Sequence, residues 1–251
     1  MKRREVLQLL GSAGTGVALS SLSSKMEGQT LPNYVVEGAG PTLIAFNRIP
    51  MGYYKGLTDR YRVIVMNYPP VDDNSPAFIK SFTAEHVCRE ILAVANAEHA
   101  DRFAWYGFSW GAVVGLQLAV RTNRLTALAL GGWPPLGGQY QDTLAAAIKH
   151  SETTGVKHFV TFYRSLQDWP ERDAVSKLTC PRLIFVGRND HFVAEGYNIR
   201  HAPLIIEHRE ELQRLGWTVR IIDGISHDLG GRPDIVIPLL REFLDPLLLR
   251  G

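Results

Sequence analysis

The sequence predicts an α/β fold built on a doubly wound, mostly parallel sheet. Three observations point there. Short apolar runs of strand length alternate with longer segments of helical periodicity. One run leads through Gly107-Phe108-Ser109-Trp110-Gly111 straight into an apolar helical segment. Two later runs are each followed within a few residues by chemistry: Asp190 after one, His227 after the other. Strands alternating with helices imply parallel pairing, with helices covering both faces of the sheet.

The elements follow in order. Residues 34–36 read as an early strand and 38–41 as a turn. Residues 42–46 are the next buried strand, with a loop over 47–52. Residues 61–66 form another strand, followed by a turn-rich stretch to 74. Thr83 is placed to cap a helix whose Val87, Ile91, Leu92 and Ala95 share one face. Residues 103–106 are the strand before Ser109, and 112–120 the helix after it. Residues 126–130 are a strand ending in Gly131-Gly132-Trp133-Pro134-Pro135. Residues 139–178 break the alternation with helical stretches at 144–150 and 156–166. This small helical insertion is either a lid over Ser109 or part of the flank. The sheet resumes at 181–186. An amphipathic helix spans 203–215 and a last strand 218–222. A closing helix spans 233–249, with Pro246 expected to interrupt it.

Composition narrows the function. With 251 residues, 45% hydrophobic and 21% charged, the chain suits one sizeable α/β domain. The formal charge of +2 comes from the first 30 residues, and the remainder is balanced. That gives no electrostatic footprint for nucleic acid. Cys88 and Cys180 make neither a disulfide framework nor a zinc site. No metal motif or P-loop is present, and Gly38-x-Gly40 lacks the rest of a dinucleotide fingerprint, so no cofactor is expected. The first 24 residues stand apart. Arg3-Arg4, a spacer, apolar residues and a Gly/Ala/Ser segment through Leu22 resemble a twin-arginine export signal. That implies a periplasmic or extracellular protein. The segment is too short and too rich in serine and glycine for a stable membrane span. The competing reading is an amphipathic helix retained on a cytoplasmic protein. Residues 1–30 are thus read as signal and linker, and 31–251 as the α/β domain.

A G-x-S-x-G pentapeptide between a strand and a helix is a nucleophile elbow. The turn is tight enough to force a strained backbone on the serine, and the residues two before and two after it crowd together unless they are glycine. Ser109 is then lifted onto a helix N-terminus, where negative charge is favoured. A serine hydroxyl needs a base, and the base needs an orienting acid. Side chains of a doubly wound sheet converge at the carboxyl ends of its strands. Asp190 and His227 lie there, with Asp223 and Asp228 as rivals for the acid. His191 directly follows Asp190 and is a possible pocket residue. His86, His99, His150, His158, His201 and His208 are assigned surface or packing roles.

The serine elbow, the Gly-x-x-Asp after a strand and the late Ser226-His227-Asp228 loop resemble the α/β-hydrolase superfamily over residues 32–250. The resemblance implies a sheet of the α/β-hydrolase type with Ser109 as nucleophile. His227 would be general base then acid, and Asp190 its orienter. No cofactor is implied. One oxyanion donor would be the N–H of Trp110, and by position the other is that of Ile49. The loop departs from the family, with Asn47-Arg48 where His-Gly is common. Arg48 either binds a substrate carboxylate or is solvated, and Tyr53 or Tyr54 could supply a phenol instead. Trp133 and the aromatic insertion suggest an apolar small-molecule substrate. The leading reading is a serine hydrolase acting on an ester or related acyl bond. The same scaffold also supports carbon–carbon hydrolases, cofactor-free haloperoxidases and lyases, and the altered loop leaves room for a binding protein. The sequence sets no oligomeric state.

Overall fold

Parallel sheets need both faces covered, and alternate residues of each central strand here enter two different cores. The computed structural model describes residues 25–26, 29–46, 49–69 and 75–249. Arg48 and the export-signal stretch lie outside the described residues. Seven strands form the main sheet: β1 Tyr34–Glu37, β2 Thr42–Phe46, β3 Arg62–Met66, β4 Phe103–Phe108, β5 Leu125–Gly131, β6 Arg182–Gly187 and β9 Trp217–Ile222. A separate hairpin, β7 Phe192–Ala194 and β8 Tyr197–Ile199, lies between β6 and β9 in the chain. The sheet order is β9-β6-β5-β4-β2-β3-β1, parallel throughout except for β1 against β3.

The helices are α1 Pro76–Ser81, α2 Ala84–Ala97, α3 Trp110–Ala119, α4 Tyr140–Thr154, α5 His158–Arg164, α6 Glu171–Ser176, α7 His201–Glu207, α8 Arg209–Arg214 and α9 Pro233–Leu248. Short 3₁₀ turns occupy Met51–Tyr54 and His227–Gly231. On one face of the sheet, Ile44, Trp105, Leu128 and Ile184 pack with α2, α3 and the 139–178 insertion. On the other, Leu43, Tyr106, Ala129 and Phe185 pack with Val236, Ile237, Leu240 and Leu244 of α9. This period-two split explains why the strands read as near-continuous apolar runs.

Two expectations are corrected. The closing helix runs unbroken through Pro238 and Pro246. Each proline removes a backbone donor, but the four buried residues of α9 supply more than the local loss. The 203–215 segment is two helices that meet at His208. Helix α1 lies beyond the turn-rich stretch, where the sequence predicts no element, with Ser75 Oγ accepting from Phe78 N–H at 3.2 Å and Pro76 in the first turn. Thr83 does cap α2, accepting from His86 N–H at 3.2 Å. Among the described residues, no helix is long and apolar enough to cross a membrane.

Candidate active site

The site is assembled from the carboxyl ends of β4, β6 and β9. After β4 the chain reverses at Ser109, whose φ of 56° and ψ of −119° lie in a region that side chains rarely adopt. Such a conformation costs on the order of 1–3 kcal/mol and persists because its neighbours enforce it. Ser109 N–H donates to Gly131 O at 2.7 Å, tying the turn to β5. A β-carbon on Gly107 would stand 2.1 Å from Gly111 O, and one on Gly111 would stand 2.6 Å from Phe46 O. Trp105 Nε1–H donates to Gly111 O at 3.3 Å and braces the turn from below.

The acid and histidine loops are strapped together. Arg188 N–H donates to Ile222 O at 2.8 Å and Asn189 N–H to Ile225 O at 3.0 Å. The histidine loop passes so close to β6 that a β-carbon on Gly187 would meet Ile225 O at 2.5 Å. These contacts bring Asp190 and His227 together. His227 Nδ1 is 2.9 Å from Asp190 Oδ2, and His227 Nε2 is 2.9 Å from Ser109 Oγ. An ionised carboxylate only accepts, so the hydrogen sits on Nδ1 and Nε2 is free to accept from the serine hydroxyl. All three side chains are buried.

No protein-family model and no curated protein matches the chain. Solved structures do. The chain is similar to epoxide hydrolase A from Mycobacterium thermoresistibile, at 16% identity over 91% of this chain and 98% of that one, with a TM-score of 0.65. It is similar to a bromoperoxidase from Bacillus anthracis, at 14% identity over 90% and 100% of the two chains, with a TM-score of 0.65. It is similar to carboxylesterase CesB from Bacillus subtilis, at 13% identity over 96% and 94%, with a TM-score of 0.63. The chain has the α/β-hydrolase fold. At these identities the likeness reaches the fold alone, and the three names describe three different reactions.

Within this α/β-hydrolase fold the rivals for the acid are engaged elsewhere. Asp223 is exposed and pairs with Arg188. Asp228 folds back onto its own loop, accepting from Ser226 N–H at 3.1 Å and Ser226 Oγ–H at 2.8 Å. His191 is exposed. Burial alone would raise the Asp190 carboxyl, but the imidazoles of His227 and His201 outweigh it and hold the group well below the usual carboxylate range. His201 is the residue that sequence reasoning missed. It is buried, with Nδ1 3.1 Å from Asp190 Oδ1. No spacing rule marks it, because a hairpin absent from the predicted elements separates it from Asp190.

Asp190, His201 and His227 also form the one group of metal-ligand type found among the described residues, with donor atoms within 4.8 Å of one another. Both Nδ1 atoms point their hydrogens at the carboxylate, so an ion there would have to displace two protons.

Trp110 is the first residue of α3, so its N–H has no intrahelical acceptor and is available as an oxyanion donor. Its ring packs against Phe46, Phe82, Phe159 and Phe162. Helix α5 therefore rests directly on the first residue of α3. Ile49 is half-buried against the α9-side core. Tyr53 and Tyr54 pack edge-on to each other, and Tyr54 against Tyr106, in that same core. Trp133 is buried, its ring 5.4 Å from those of Tyr140 and His201.

Proposed function

We propose that this chain is a serine hydrolase that cleaves an ester or related acyl bond of a small, apolar substrate through an acyl-enzyme. The observation that carries the reading is the unbroken relay from Ser109 Oγ through His227 to Asp190, each step 2.9 Å. Ser109 attacks the carbonyl while His227 Nε2 takes its proton. Asp190 Oδ2 holds the imidazole in the tautomer this requires and stabilises the imidazolium that forms. The negative charge on the tetrahedral oxygen falls to the N–H groups of Trp110 and Ile49. His227 returns its proton to the leaving alcohol, and a water then repeats the sequence to free the acid and Ser109.

Several features support an apolar substrate. The rings of Phe108 and Phe192 stand 5.1 and 5.3 Å from that of His227. Phe192 is partly exposed, so it offers the site an apolar wall. Trp133, its ring 5.4 Å from that of His201, is proposed as an apolar substrate-binding residue. Arg48 is proposed as the residue that would select a carboxylate on the substrate. The export-like first 24 residues favour a periplasmic or extracellular setting, testable by N-terminal sequencing of the protein from its host.

The test is a chain-length series of p-nitrophenyl esters set beside carbon–carbon substrates. Hydrolysis of the esters, with a loss of about 10⁶ in turnover for Ser109→Ala, is the expected result. Turnover of the carbon–carbon set alone would move the reading to that chemistry.

A further inference from the structure

The relay uses one oxygen of Asp190, and the other is also engaged. His201, the first residue of α7, sets Nδ1 3.1 Å from Asp190 Oδ1. Because the carboxylate only accepts, the hydrogen lies on His201 Nδ1. That leaves His201 Nε2 as a bare acceptor, buried with no partner among the described residues. A phenylalanine would fill the same space with no bare acceptor to bury. Packing alone therefore gives no reason for an imidazole here.

The placement of His201 is enforced from several sides. Ala202 N–H donates back to Asp190 O at 2.9 Å. The β7–β8 hairpin between the two residues is tied to α4. Gln139 Nε2–H donates to Asn198 O at 2.8 Å, and Gln139 Oε1 accepts from Arg200 N–H at 2.6 Å. His150 meets Glu195 at 3.3 Å. The rings of Trp133 and Phe192 close around His201 at 5.4 and 5.6 Å. The titratable groups that face it are Asp190 and His227.

We propose that His201 is a positioning residue. Its Nδ1–H fixes the plane of the Asp190 carboxylate so that Oδ2 meets His227, and it stays neutral through turnover so that the carboxylate's charge serves the His227 imidazolium. This rests on the serine hydrolase reading. Neutrality follows from the surroundings. Burial holds His201 below the ordinary histidine value, more than offsetting the pull of Asp190. A proton on Nε2 would find no acceptor. The two imidazole rings are 5.0 Å apart, so a second positive charge would oppose the one that forms on His227.

The test compares His201→Phe with His201→Asn, whose side-chain amide nitrogen can stand where Nδ1 does. For His201→Phe, kcat falls about 10–100-fold, the size typical for removing an outer partner of a site ligand, with KM unchanged. The acid limb of kcat/KM moves to higher pH, because Asp190 no longer divides its charge between two donors. His201→Asn returns most of kcat and restores the limb. Wild-type kcat and an unmoved limb in His201→Phe would overturn the proposal. So would equal losses in both variants with the limb unmoved, which would mark a packing role.

If His201→Phe does not fold, ¹⁵N imidazole NMR of the wild-type protein decides. The neutral Nδ1–H tautomer of His201 at pH 7 is expected, and an imidazolium or the Nε2–H tautomer overturns the proposal. A wild-type enzyme that cleaves esters while its variants behave as wild type sinks the inference alone. A wild-type protein with no ester hydrolysis and no labelling of Ser109 sinks the hydrolase reading and this inference with it.

Discussion

Gly111→Ala is the change that most sharply separates a working elbow from a merely folded one. The new β-carbon would stand 2.6 Å from Phe46 O, at the end of β2, and 3.6 Å from Phe46 Cδ1. Carbon and its neighbours settle at about 3.5–4 Å, so strand and helix must part by close to an ångström. The atom in the way is backbone and cannot swing aside. Overpacking of this kind costs about 1–3 kcal/mol, and the better helix propensity of alanine returns up to about 1 kcal/mol. The net loss of roughly 1–2 kcal/mol lowers Tm by several degrees in a domain of this size. The catalytic effect is larger. Phe46 leads directly into the loop that carries Ile49, so the displacement would move the oxyanion donor proposed there off its mark. Losing such a donor costs about 10²–10³ in kcat. Calorimetry and ester kinetics, both well below Tm, read the two effects separately. Gly52→Ala is the control, because its β-carbon meets nothing within 4 Å. Wild-type Tm and kcat in Gly111→Ala would refute the steric reasoning. A lower Tm with full kcat would refute the role of the β2 loop.

Further outcomes follow from the buried charges. Asp190→Asn lowers kcat by about 10⁴, because the amide no longer enforces the productive tautomer of His227. Asp190 has a depressed native carboxyl, so the stability it contributes is present above the unfolded value near 4 and is lost as pH falls through the lower native one. Thermal scans across that acid range should show a steeper decline for wild type than for Asp190→Asn. Glu171 behaves oppositely. Burial pushes it up to about 7 despite hydrogen bonds from the N–H groups of Gly137 and Gly138. The native state then binds the extra proton, so stability falls as pH rises from about 4.5 to 7. That decline should be absent in Glu171→Gln. At the base of the sheet, Glu98 accepts from Tyr34 OH at 2.7 Å and pairs with Arg62. Glu98→Ala should cost about 1–2 kcal/mol in urea unfolding.

The strands, and the convergence of Ser109, Asp190 and His227, were legible because each depends on local pattern. Apolar runs at 42–46 and 103–106 mark strands buried on both faces, and the two glycines around Ser109 mark a turn that tolerates nothing else. What escaped depends on tertiary burial. Pro246 breaks a helix by local rules, yet α9 continues because its inner face covers the sheet. The β7–β8 hairpin turns at Glu195-Gly196, both at positive φ, where a glycine pairs with a residue that rarely takes that conformation. Missing that hairpin hid His201, because nothing in the local sequence brings residue 201 back to residue 190. Histidines 150 and 158 are buried as well, and what sets His201 apart is its contact with Asp190, which a surface or packing assignment does not foresee. Asp223 and Asp228 were separable from Asp190 only once Arg188 and Ser226 were seen to occupy them.

The central claim is that Ser109 is an activated nucleophile. Fluorophosphonate labelling of the folded protein, followed by peptide mass spectrometry, tests it most directly. A single adduct on Ser109, absent in Ser109→Ala and strongly slowed in His227→Ala, is the predicted result. A folded protein with no adduct, or with the adduct on another residue, would contradict the account.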